Sequence, residues 1–409
     1  MAKKIVIIGA GFAGVWSALS AKRLLDLRSQ NNGIEILVIA PEPSLVIRPR
    51  LYEANASDMT HSLGAVFKEA GIQFLQGMVE SINSNAQTLD VRSTSGAQST
   101  TSYDRLILAA GSAVVRPKSI PGIQQYAFDI DSLESATKLE IHLQDLVSLP
   151  PSPARNTIVV CGGGFTGIEL ATELPKRLGH IKDYRIILVE NSDEIGLALG
   201  PGPRPVITQA LKDLGIEVKA GSPVAGIDAN GVSLASGERV ETKTAIWTAG
   251  VRATPLTQQF PAAKDGLSRL HVDQHLRIPT IENAFATGDA ANALADTEGH
   301  YALMSCQHAL QLGRVSGHNA AADLLGETMI EYSQAAYNCC LDLGSWGAVI
   351  SSGWDRKVKI TGDVAKRVKC YINQQLIYPP HDAQEALALA NPNWPDSDQL
   401  FEQMLRVVG

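Results

Sequence analysis

The chain has 409 residues, which is too long for one ordinary hydrophobic core and predicts two or three domains. Its composition, 45% hydrophobic and 19% charged, is typical of a soluble globular protein, and a net charge of -7 argues against a nucleic-acid-binding surface. No apolar run reaches the ~18 residues that a membrane-spanning helix needs. The first predicted strand begins by Lys4, which leaves no room for a signal peptide. Five scattered cysteines fit a reducing cytoplasm without structural disulfides.

The first predicted element is the strand Ile5-Val6-Ile7-Ile8, which runs into the glycine motif Gly9-Ala10-Gly11-Phe12-Ala13-Gly14 and then into a helix. In this motif the first glycine permits a tight turn, the second lets backbone approach a pyrophosphate, and the third lets the helix pack on the strand. The helix N-terminus offers unpaired N–H groups and a positive dipole end to the phosphates. The sequence therefore predicts a dinucleotide site at residues 9–14.

The next strand, Glu35-Ile36-Leu37-Val38-Ile39, lacks the acid that usually follows it and binds the adenosine ribose. Ala40 stands at that position. Glu42 follows the Pro41 turn two residues later, and we predict that it contacts the ribose. The alternative is that Glu42 is solvated and other groups hold the ribose.

The chain contains an internal repeat. A second motif, Gly162-Gly163-Gly164-Phe165-Thr166-Gly167, follows the apolar run Thr157-Ile158-Val159-Val160-Cys161. Each half continues with a second strand, a helix that ends in Gly-Ile-x-apolar, an antiparallel excursion and an apolar strand that ends in Ala-Gly. Such a repeat of whole units predicts two similar domains. Two dinucleotide sites in one chain suggest electron transfer between the two nucleotides.

Glu190 follows the second strand of the second half, Ile186-Ile187-Leu188-Val189. An acid about 20 residues beyond the glycines accepts hydrogen bonds from a ribose 2′-hydroxyl and repels a 2′-phosphate. The second site is therefore expected to prefer NADH over NADPH. The alternative is that Glu190 is an ordinary surface glutamate.

The remaining elements indicate how the two halves are connected. The chain is expected to leave the first domain near residue 115 and to return near 270. There Ala284-Phe285-Ala286-Thr287-Gly288-Asp289-Ala290-Ala291 predicts a short strand, a Gly-Asp turn and a helix start. We predict an α/β fold with two Rossmann-like domains, one inserted in the other (1–115 with 270–325, and 116–269), and a small α+β C-terminal domain (326–409). The basic stretch from Lys357 to Lys369 is expected to be a solvated strand-turn face.

These motifs resemble those of type II, non-proton-pumping NADH dehydrogenases (NADH:quinone oxidoreductases), which are flavoproteins of the glutathione-reductase-like superfamily. The resemblance covers roughly residues 3 to 325. Its most specific parts are the Trp-Thr-Ala-Gly-Val-Arg and Gly-Phe-Thr-Gly-Ile-Glu runs. The matching stretches are Gly9 to Gly14, Pro49-Arg50-Leu51-Tyr52-Glu53, Tyr103 to Gly111, Gly162 to Glu173, Ile246-Trp247-Thr248-Ala249-Gly250-Val251-Arg252 and Phe285 to Ala291.

The resemblance implies FAD in the first domain, NADH in the inserted domain and an interface role for the third. It implies that Asp289 hydrogen-bonds the FAD and that Ala290 lies near the isoalloxazine. Asp289 alternatively caps its own helix. Further cofactor contacts are expected at Val79, Ala110, Gly111 and Gly250, and no metal is expected.

Three residues are expected to act on the second substrate. Glu169 lies in the first turns after the second motif, where the matching family residue is near the flavin. A buried carboxyl there would have a raised pKa that suits proton exchange. The alternative is that Glu169 only satisfies helix N-terminal amides. Gln307 and Gln311 lie on one helix face. They match two glutamines of the family's quinone motif Ala-Gln-x-Ala-x-Gln-Gln, in which Cys306 and Leu312 replace the first and last residues. The alternative is two exposed glutamines.

The resulting hypothesis is an FAD-dependent enzyme that oxidises NADH and reduces a quinone-like acceptor. A reductase of a small iron–sulfur protein or of oxygen, or a non-enzymatic redox sensor, remains the alternative. No Cys-x2-Cys or Cys-x4-Cys pair supports a disulfide reductase. The C-terminal apolar residues favour domain or dimer packing over peripheral membrane docking, because few basic residues accompany them: Leu400, Phe401, Met404, Leu405, Val407 and Val408. A cytoplasmic location and a homodimer are expected.

Overall fold

The computed structural model describes residues 2–29 and 33–408. Its α-helices are α1 (Phe12–Leu27), α2 (Gly64–Ala70), α3 (Ile123–Tyr126), α4 (Leu133–Asp145), α5 (Pro153–Asn156), α6 (Phe165–Arg177), α7 (Arg204–Asp213), α8 (Cys306–Leu325), α9 (Gly362–Tyr371), α10 (Ala383–Leu389) and α11 (Ser397–Val408). A π-helical turn, Ile372–Leu376, directly follows α9.

The β-strands form several sheets of different sizes. They are β1 (Lys3–Ile8), β2 (Ile34–Ala40), β3 (Ser44–Val46), β4 (Thr60–Ser62), β5 (Gln73–Asn83), β6 (Thr88–Ser93), β7 (Gln98–Ser102), β8 (Arg105–Leu108), β9 (Ser112–Val114), β10 (Ala127–Phe128), β11 (Thr157–Cys161), β12 (Arg185–Val189), β13 (Glu217–Lys219), β14 (Val224–Asp228), β15 (Gly231–Leu234), β16 (Arg239–Glu241), β17 (Thr244–Trp247), β18 (Val251–Ala253), β19 (Leu270–His271), β20 (Ala284–Ala286), β21 (Ala291–Asn292), β22 (Asn338–Asp342), β23 (Ala348–Ser352) and β24 (Lys357–Thr361).

The largest sheet has seven strands in the order β20-β8-β1-β2-β5-β6-β7. Its first five strands are parallel, and β6 and β7 continue it antiparallel. The apolar run of β1 is buried, as expected for a central strand of a parallel sheet that is covered on both faces. Helix α8 crosses α1 at close range: the two backbones are so near that a side chain on Gly317 would overlap the backbone of Ser17. The sheet thus combines early strands with the late strand β20.

A second sheet of five parallel strands has the order β10-β17-β11-β12-β13, and the antiparallel strands β14 to β16 form a separate three-stranded sheet. The two chain crossings between the large sheets lie side by side, since β9 pairs antiparallel with β18. Two Rossmann-like sheets, one built inside the chain path of the other, confirm the predicted α/β fold. The boundaries at residues 115, 270 and 325 stay predictions.

The last part of the chain forms an antiparallel sheet, β22-β23-β24, against which α9 and α11 pack. Phe401 and Met404 of α11 are buried among Ile350 and other apolar side chains of this sheet and of α9. The expectation of a solvated strand-turn face from residue 357 to 369 holds for β24 but is wrong from Gly362 on, where the chain forms α9 with buried residues on its inner face. Lys369 is only 5% exposed, because it lies on the inner face of α9 and pairs with a buried carboxylate.

Candidate functional site

Both glycine motifs have the backbone conformation that the sequence predicts. Gly9 and Gly162 adopt φ of 107° and 124°, respectively, a region that side chains disfavour. A side chain on Gly14 would overlap the carbonyl oxygen of Gly9, and one on Gly167 would overlap that of Gly162. The glycines therefore let each helix start directly against its strand, which aims the helix N-terminus at the end of the parallel sheet.

The helices that follow the motifs begin without a cap. Gly11 and Gly164 are the N-cap residues of α1 and α6; neither start has a side-chain hydrogen bond or an acid in the first turn. By contrast, side chains of Ser132, Ser305 and Asp382 cap α4, α8 and α10. Uncapped N–H groups and a positive helix end are what dinucleotide phosphates require. The residues present therefore fit two dinucleotides.

A cavity of about 1460 Å³ brings together candidate residues from distant parts of the sequence. The N-terminal residues of both motif helices, α1 and α6, and of α8 line it. The predicted residues that line it are Gly11, Phe12, Ala13, Gly111, Phe165, Thr166, Glu169, Asp289, Gln307 and Gln311. The remaining candidates are not in its wall: Gly9, Gly14, Glu42, Val79, Ala110, Gly162, Gly164, Gly167, Glu190, Gly250 and Ala290.

Three of the candidates outside the cavity wall, Val79, Ala290 and Glu42, have surroundings that differ from one another. Val79 is buried in the core beneath the largest sheet, and Ala290 is fully buried in the same cluster. Glu42 is exposed, two residues beyond the end of β2. Their cofactor contacts stay predictions.

Glu190 is tied to the second glycine motif. Its carboxylate accepts hydrogen bonds from the backbone N–H of Gly163 at 2.6 Å and of Ser192 at 2.8 Å. The side chain is half-buried. These bonds hold one negative charge beside the N-terminus of α6, in the place where a dinucleotide ribose is expected.

Asp289 lies in a 3-10 turn, Gly288–Ala290, which leads into the short strand β21. The prediction that an α-helix starts here is wrong, because the chain pairs with β19 and the next α-helix begins only at Cys306. Asp289 therefore does not cap a helix of its own. Its carboxylate accepts a hydrogen bond from Ser112 Oγ at 2.6 Å and lies 3.7 Å from Arg48 Nη1.

Glu169 is 3% exposed, and its side chain faces the C-terminal sheet β22-β23-β24 rather than the start of its own helix. Its Oε1 lies 2.8 Å from Lys369 Nζ and accepts a bond from the backbone N–H of Asp342 at 3.0 Å. Burial raises the pKa of Glu169 to about 7, an effect that the Lys369 cation opposes and nearby Asp342 reinforces. Burial, the largest single effect, would lower the pKa of Lys369, but the Glu169 carboxylate together with Cys340 and Asp342 raises that pKa overall. The carboxyl can exchange a proton near neutral pH.

A buried polar network continues from this ion pair. Asp342 accepts hydrogen bonds from Tyr52 Oη at 2.8 Å and from Lys366 Nζ at 2.5 Å. Asn373 donates to Tyr52 Oη at 3.2 Å and to Glu53 at 2.9 Å. Burial, followed by the nearby carboxylates, raises the pKa of Tyr52, which stays protonated. Lys369, Asp342 and Asn373 lie beyond the region of family resemblance, and no functional role was predicted for them. Tyr52 stands in a matching stretch, also without a predicted role.

The two candidate glutamines are half-buried, and each contacts the C-terminal segment. Gln307 donates to Ser397 Oγ at 2.8 Å, and Gln311 donates to the carbonyl oxygen of Pro392 at 2.7 Å. They are therefore not exposed helical glutamines. Between them, His308 is fully buried and stacks on Tyr337 with 4.8 Å between ring centroids. Burial, followed by two arginine charges, lowers the pKa of His308 to about 3, so that it is neutral.

The chain is similar to known proteins in both sequence and fold. The sequence profile described as pyridine nucleotide-disulphide oxidoreductase matches residues 3–313. An NADH dehydrogenase-like protein of Mycobacterium tuberculosis is 42% identical over 394 residues, covering 95% of this chain and 97% of that protein. The demethylphylloquinone reductase NdbB of Synechocystis is 29% identical over 372 residues, which cover 88% of this chain and 89% of that protein. The structure of NDH2 from Plasmodium falciparum in complex with NADH shares the fold, with a TM-score of 0.75, 16% identity and 95% and 97% coverage.

Proposed function

Because the chain belongs to the pyridine nucleotide-disulphide oxidoreductase family, we propose that it is an FAD-dependent enzyme that oxidises NADH and reduces a quinone-like acceptor. In the overall reaction NADH, a proton and a quinone give NAD⁺ and a hydroquinone. The observation that carries the proposal is that both uncapped helices reach one cavity, which Ala13 of α1 and Thr166 of α6 line. Relatives named for NADH oxidation and for reduction of a quinone support it.

The first glycine motif would hold the phosphates of FAD at the start of α1. FAD, when bound, supplies a two-electron carrier between the two substrates. Asp289, held by Ser112 at the turn before β21, would accept hydrogen bonds from the cofactor's hydroxyl groups. Glu42 is the proposed ribose contact. The other proposed contacts are Val79, Ala110, Gly111 and Ala290.

The second motif would bind NADH. Glu190 would accept hydrogen bonds from the 2′-hydroxyl of the adenosine ribose, and its charge would repel the 2′-phosphate of NADPH. Because two backbone amides already orient the carboxylate, the discrimination requires no rearrangement. The residues proposed to contact this nucleotide are Gly162, Gly164, Phe165, Thr166, Gly167, Glu190 and Gly250.

Glu169 and Lys369 would serve the acceptor half of the reaction. Reduction of a quinone to a hydroquinone consumes two protons, and Glu169, with a pKa of about 7, can give one up and regain it at neutral pH. Lys369 would keep a positive charge beside the reduced acceptor. Gln307 and Gln311 would donate to the acceptor's carbonyl oxygens without adding charge. For this role their amides must exchange Ser397 and Pro392 for the acceptor.

We propose that α11 serves packing within the chain rather than membrane docking, because two of its apolar side chains, Phe401 and Met404, are already buried. Val407, another apolar residue of α11, is by contrast 65% exposed. Within the described residues no helix has the length and apolar content to cross a bilayer. Co-sedimentation of the protein with liposomes, lost on deletion of residues 397–409, would contradict this assignment.

An acceptor screen tests the proposed function. Purified protein should be yellow, and anaerobic NADH should bleach its flavin absorbance in a stopped-flow spectrometer. A soluble naphthoquinone should then restore the absorbance faster than dissolved oxygen does. Protein that stays colourless when supplied with FAD would end the proposal. Reoxidation by oxygen or a small iron–sulfur protein, and by no quinone, would favour that alternative acceptor instead.

A further inference from the structure

Arg356 is a buried cation in the wall of the cavity. It is the last residue of the turn between β23 and β24, and it is 7% exposed. Among residues 2–29 and 33–408, no carboxylate lies within 4.0 Å of its guanidinium, and its Nη1 has no hydrogen-bond partner. A charge that is removed from water normally finds an opposite charge or a full set of hydrogen bonds. Within the described chain Arg356 has no carboxylate partner, and its set of hydrogen bonds, which includes one to the Tyr337 side chain, is incomplete.

The other cations that line this cavity are compensated. Two pair with the carboxylates of Asp131 and Glu169, and the third lies between the indole rings of Trp16 and Trp394 and donates to a backbone carbonyl. These three cations are Arg48, Lys369 and Arg314. The missing partner is therefore specific to Arg356 and is not a general property of the cavity.

The position of Arg356 is fixed by packing on two sides. Its guanidinium carbon lies 4.5 Å from the centroid of the Tyr337 ring. Its carbonyl oxygen lies where a side chain on Gly202 would be, so the turn rests directly on the loop before α7. The residue also has φ of 56°, which few non-glycine residues adopt. A charged group held this firmly is preorganised for a ligand.

Polar groups next to the Tyr337 ring are also incomplete. The side-chain oxygens of Gln307 and Asn338, which both line the cavity, have no hydrogen-bond partner among the described residues. Asn338 follows Tyr337 in sequence, and Gln307 precedes His308, which stacks on that ring. The residues that carry these three unpartnered atoms line the cavity; of the three, only the guanidinium can donate a hydrogen bond to an anion, and the two amide oxygens can only accept one.

We propose that Arg356 binds a negatively charged substituent on the electron acceptor, such as a carboxylate, a sulfonate or an ionised ring hydroxyl. The enzyme then prefers an anionic quinone to a neutral quinone of the same size. A planar guanidinium can make two parallel hydrogen bonds to such a group, and Tyr337 holds its plane. The inference rests on the proposed function, because it assumes that a quinone enters this cavity.

The test compares two acceptors in three versions of the holoenzyme: wild type, Arg356→Gln and Arg356→Lys. The acceptors are 1,4-naphthoquinone-2-sulfonate and the neutral 2-methyl-1,4-naphthoquinone. Arg356→Gln should lower kcat/KM for the sulfonate by about 10- to 100-fold, the range of a lost charge-assisted hydrogen bond. The neutral acceptor should change by less than about 3-fold, and Arg356→Lys should lie between. Because each variant is compared with wild type on the same acceptor, differences in acceptor potential cancel.

The matched control is Arg92→Gln, which removes an exposed arginine on β6 that pairs with Glu80. It should leave the ratio of the two acceptors unchanged. An equal loss for both acceptors in Arg356→Gln, or a larger loss for the neutral quinone than for the sulfonate, would overturn the proposal.

A binding measurement separates this inference from the proposed function. The oxidised wild-type holoenzyme should show a higher Tm with the sulfonate, and Arg356→Gln should not. Without acceptor, Arg356→Gln should have a Tm at or above that of wild type, because an uncompensated buried charge is removed. A sulfonate effect that persists in Arg356→Gln would contradict the assignment. If NADH reduces no quinone at all, the proposed function fails, while the Tm shift still reports whether Arg356 binds the anion.

Discussion

At the scale of single residues, charge and burial together determine what the candidate side chains can do. Glu169 and Lys369 are both almost fully buried, and each keeps the other from being an isolated charge. The carboxyl's pKa of about 7 reflects burial working against the Lys369 cation. Burial also raises the pKa of the Cys306 thiol, to about 11. Unlike Glu169, this thiol therefore stays protonated at neutral pH and is not a reactive thiolate.

The ionisation of Glu169 predicts a pH dependence. Quinone reduction in the wild type should slow as pH rises through about 7, because the carboxyl then loses the proton that it donates. Glu169→Gln should lower the rate of flavin reoxidation about 100-fold, the size typical of a lost general acid, and abolish this step in the profile. Lys369→Met should move the step to higher pH, since the opposing cation is gone. Stopped-flow reoxidation from pH 5.5 to 9 measures this.

The same raised pKa has a consequence for stability. Folding favours the protonated form of Glu169, so its contribution is complete below the ordinary pKa of a glutamate and is lost as pH rises through about 7. The Tm of the wild type relative to Glu169→Gln should therefore fall between pH 4.5 and 7. A constant difference over this range would show that the carboxyl does not titrate there.

Glu190 predicts the choice of nicotinamide nucleotide. Glu190→Gln keeps the oxygen that accepts from Gly163 but removes the charge, so it should raise kcat/KM for NADPH by about 10-fold while NADH changes little. Glu190→Ala should also weaken NADH, because the ribose loses its acceptor. Unchanged discrimination in both variants would refute the assignment. Glu217→Gln, which alters a half-buried residue of β13 that pairs with Arg185, is the control.

At the scale of elements, close contacts between helices position the cofactor site. Helices α1 and α8 cross where Gly313 and Gly317 meet the backbone of Ala13 and Ser17. Ser17 Oγ and Ser316 Oγ share a buried hydrogen bond of 3.0 Å at the same crossing. Because α1 carries the first glycine motif and α8 carries both candidate glutamines, this crossing fixes the position of the motif relative to the glutamines.

The crossing predicts a large effect for a small substitution. Gly317→Ala would place a methyl group on the backbone of Ser17, and should destabilise the protein by about 2 kcal/mol through overpacking. Gly64→Ala in α2 is the matched control, since no atom lies within 4 Å of its added carbon. It should leave the Tm unchanged or slightly raise it. Thermal unfolding followed by circular dichroism and by flavin release measures both variants; an equal Tm would contradict the close crossing.

At the scale of the whole molecule, three parts of the chain meet at one cavity. The C-terminal segment closes the cavity on the side of α8, where Ser397 accepts a bond from Gln307 and also bonds Asn338. Glu169 enters from α6, and its partner Lys369 enters from α9. The proposed acceptor site therefore includes residues from 338–408, even though the glycine motifs lie far earlier in the chain.

This closure predicts a selective effect of Ser397→Ala. The substitution leaves three donors without their shared acceptor, one from Gln307 and two from Asn338. The KM for a naphthoquinone should rise several-fold, because the C-terminal segment loses its two bonds to Asn338 and this loss outweighs the release of Gln307 for the acceptor. The rate of flavin reduction by NADH should stay unchanged. Ser57→Ala, at an exposed site, is the control. A change confined to the NADH half-reaction would show that the segment closes a different site.

Much of this site could be predicted from local sequence. The strand–glycine–helix pattern depends on contacts between residues a few positions apart, which explains why both motifs, Glu190 and the fold class were accessible. The prediction of a helix start at Asp289 was wrong because a Gly-Asp turn is equally compatible with the strand pairing of β21 to β19. The solvated face expected up to Lys369 was wrong from Gly362 on, because the partner of Lys369, Glu169, is 200 residues away in sequence.

The amino-acid sequence alone determined the two nucleotide-binding units, their repeat and their family, since backbone geometry and apolar periodicity are local properties. Only the tertiary structure decided which charges are buried together and which polar atoms lack partners. Glu169 with Lys369, Tyr52 and Arg356 are brought into one cavity wall by chain segments that are distant in sequence, and Asp342 bonds Tyr52 from behind that wall. Ionisation and ligand preference depend on that burial, because the cost of a charge is set by its three-dimensional surroundings.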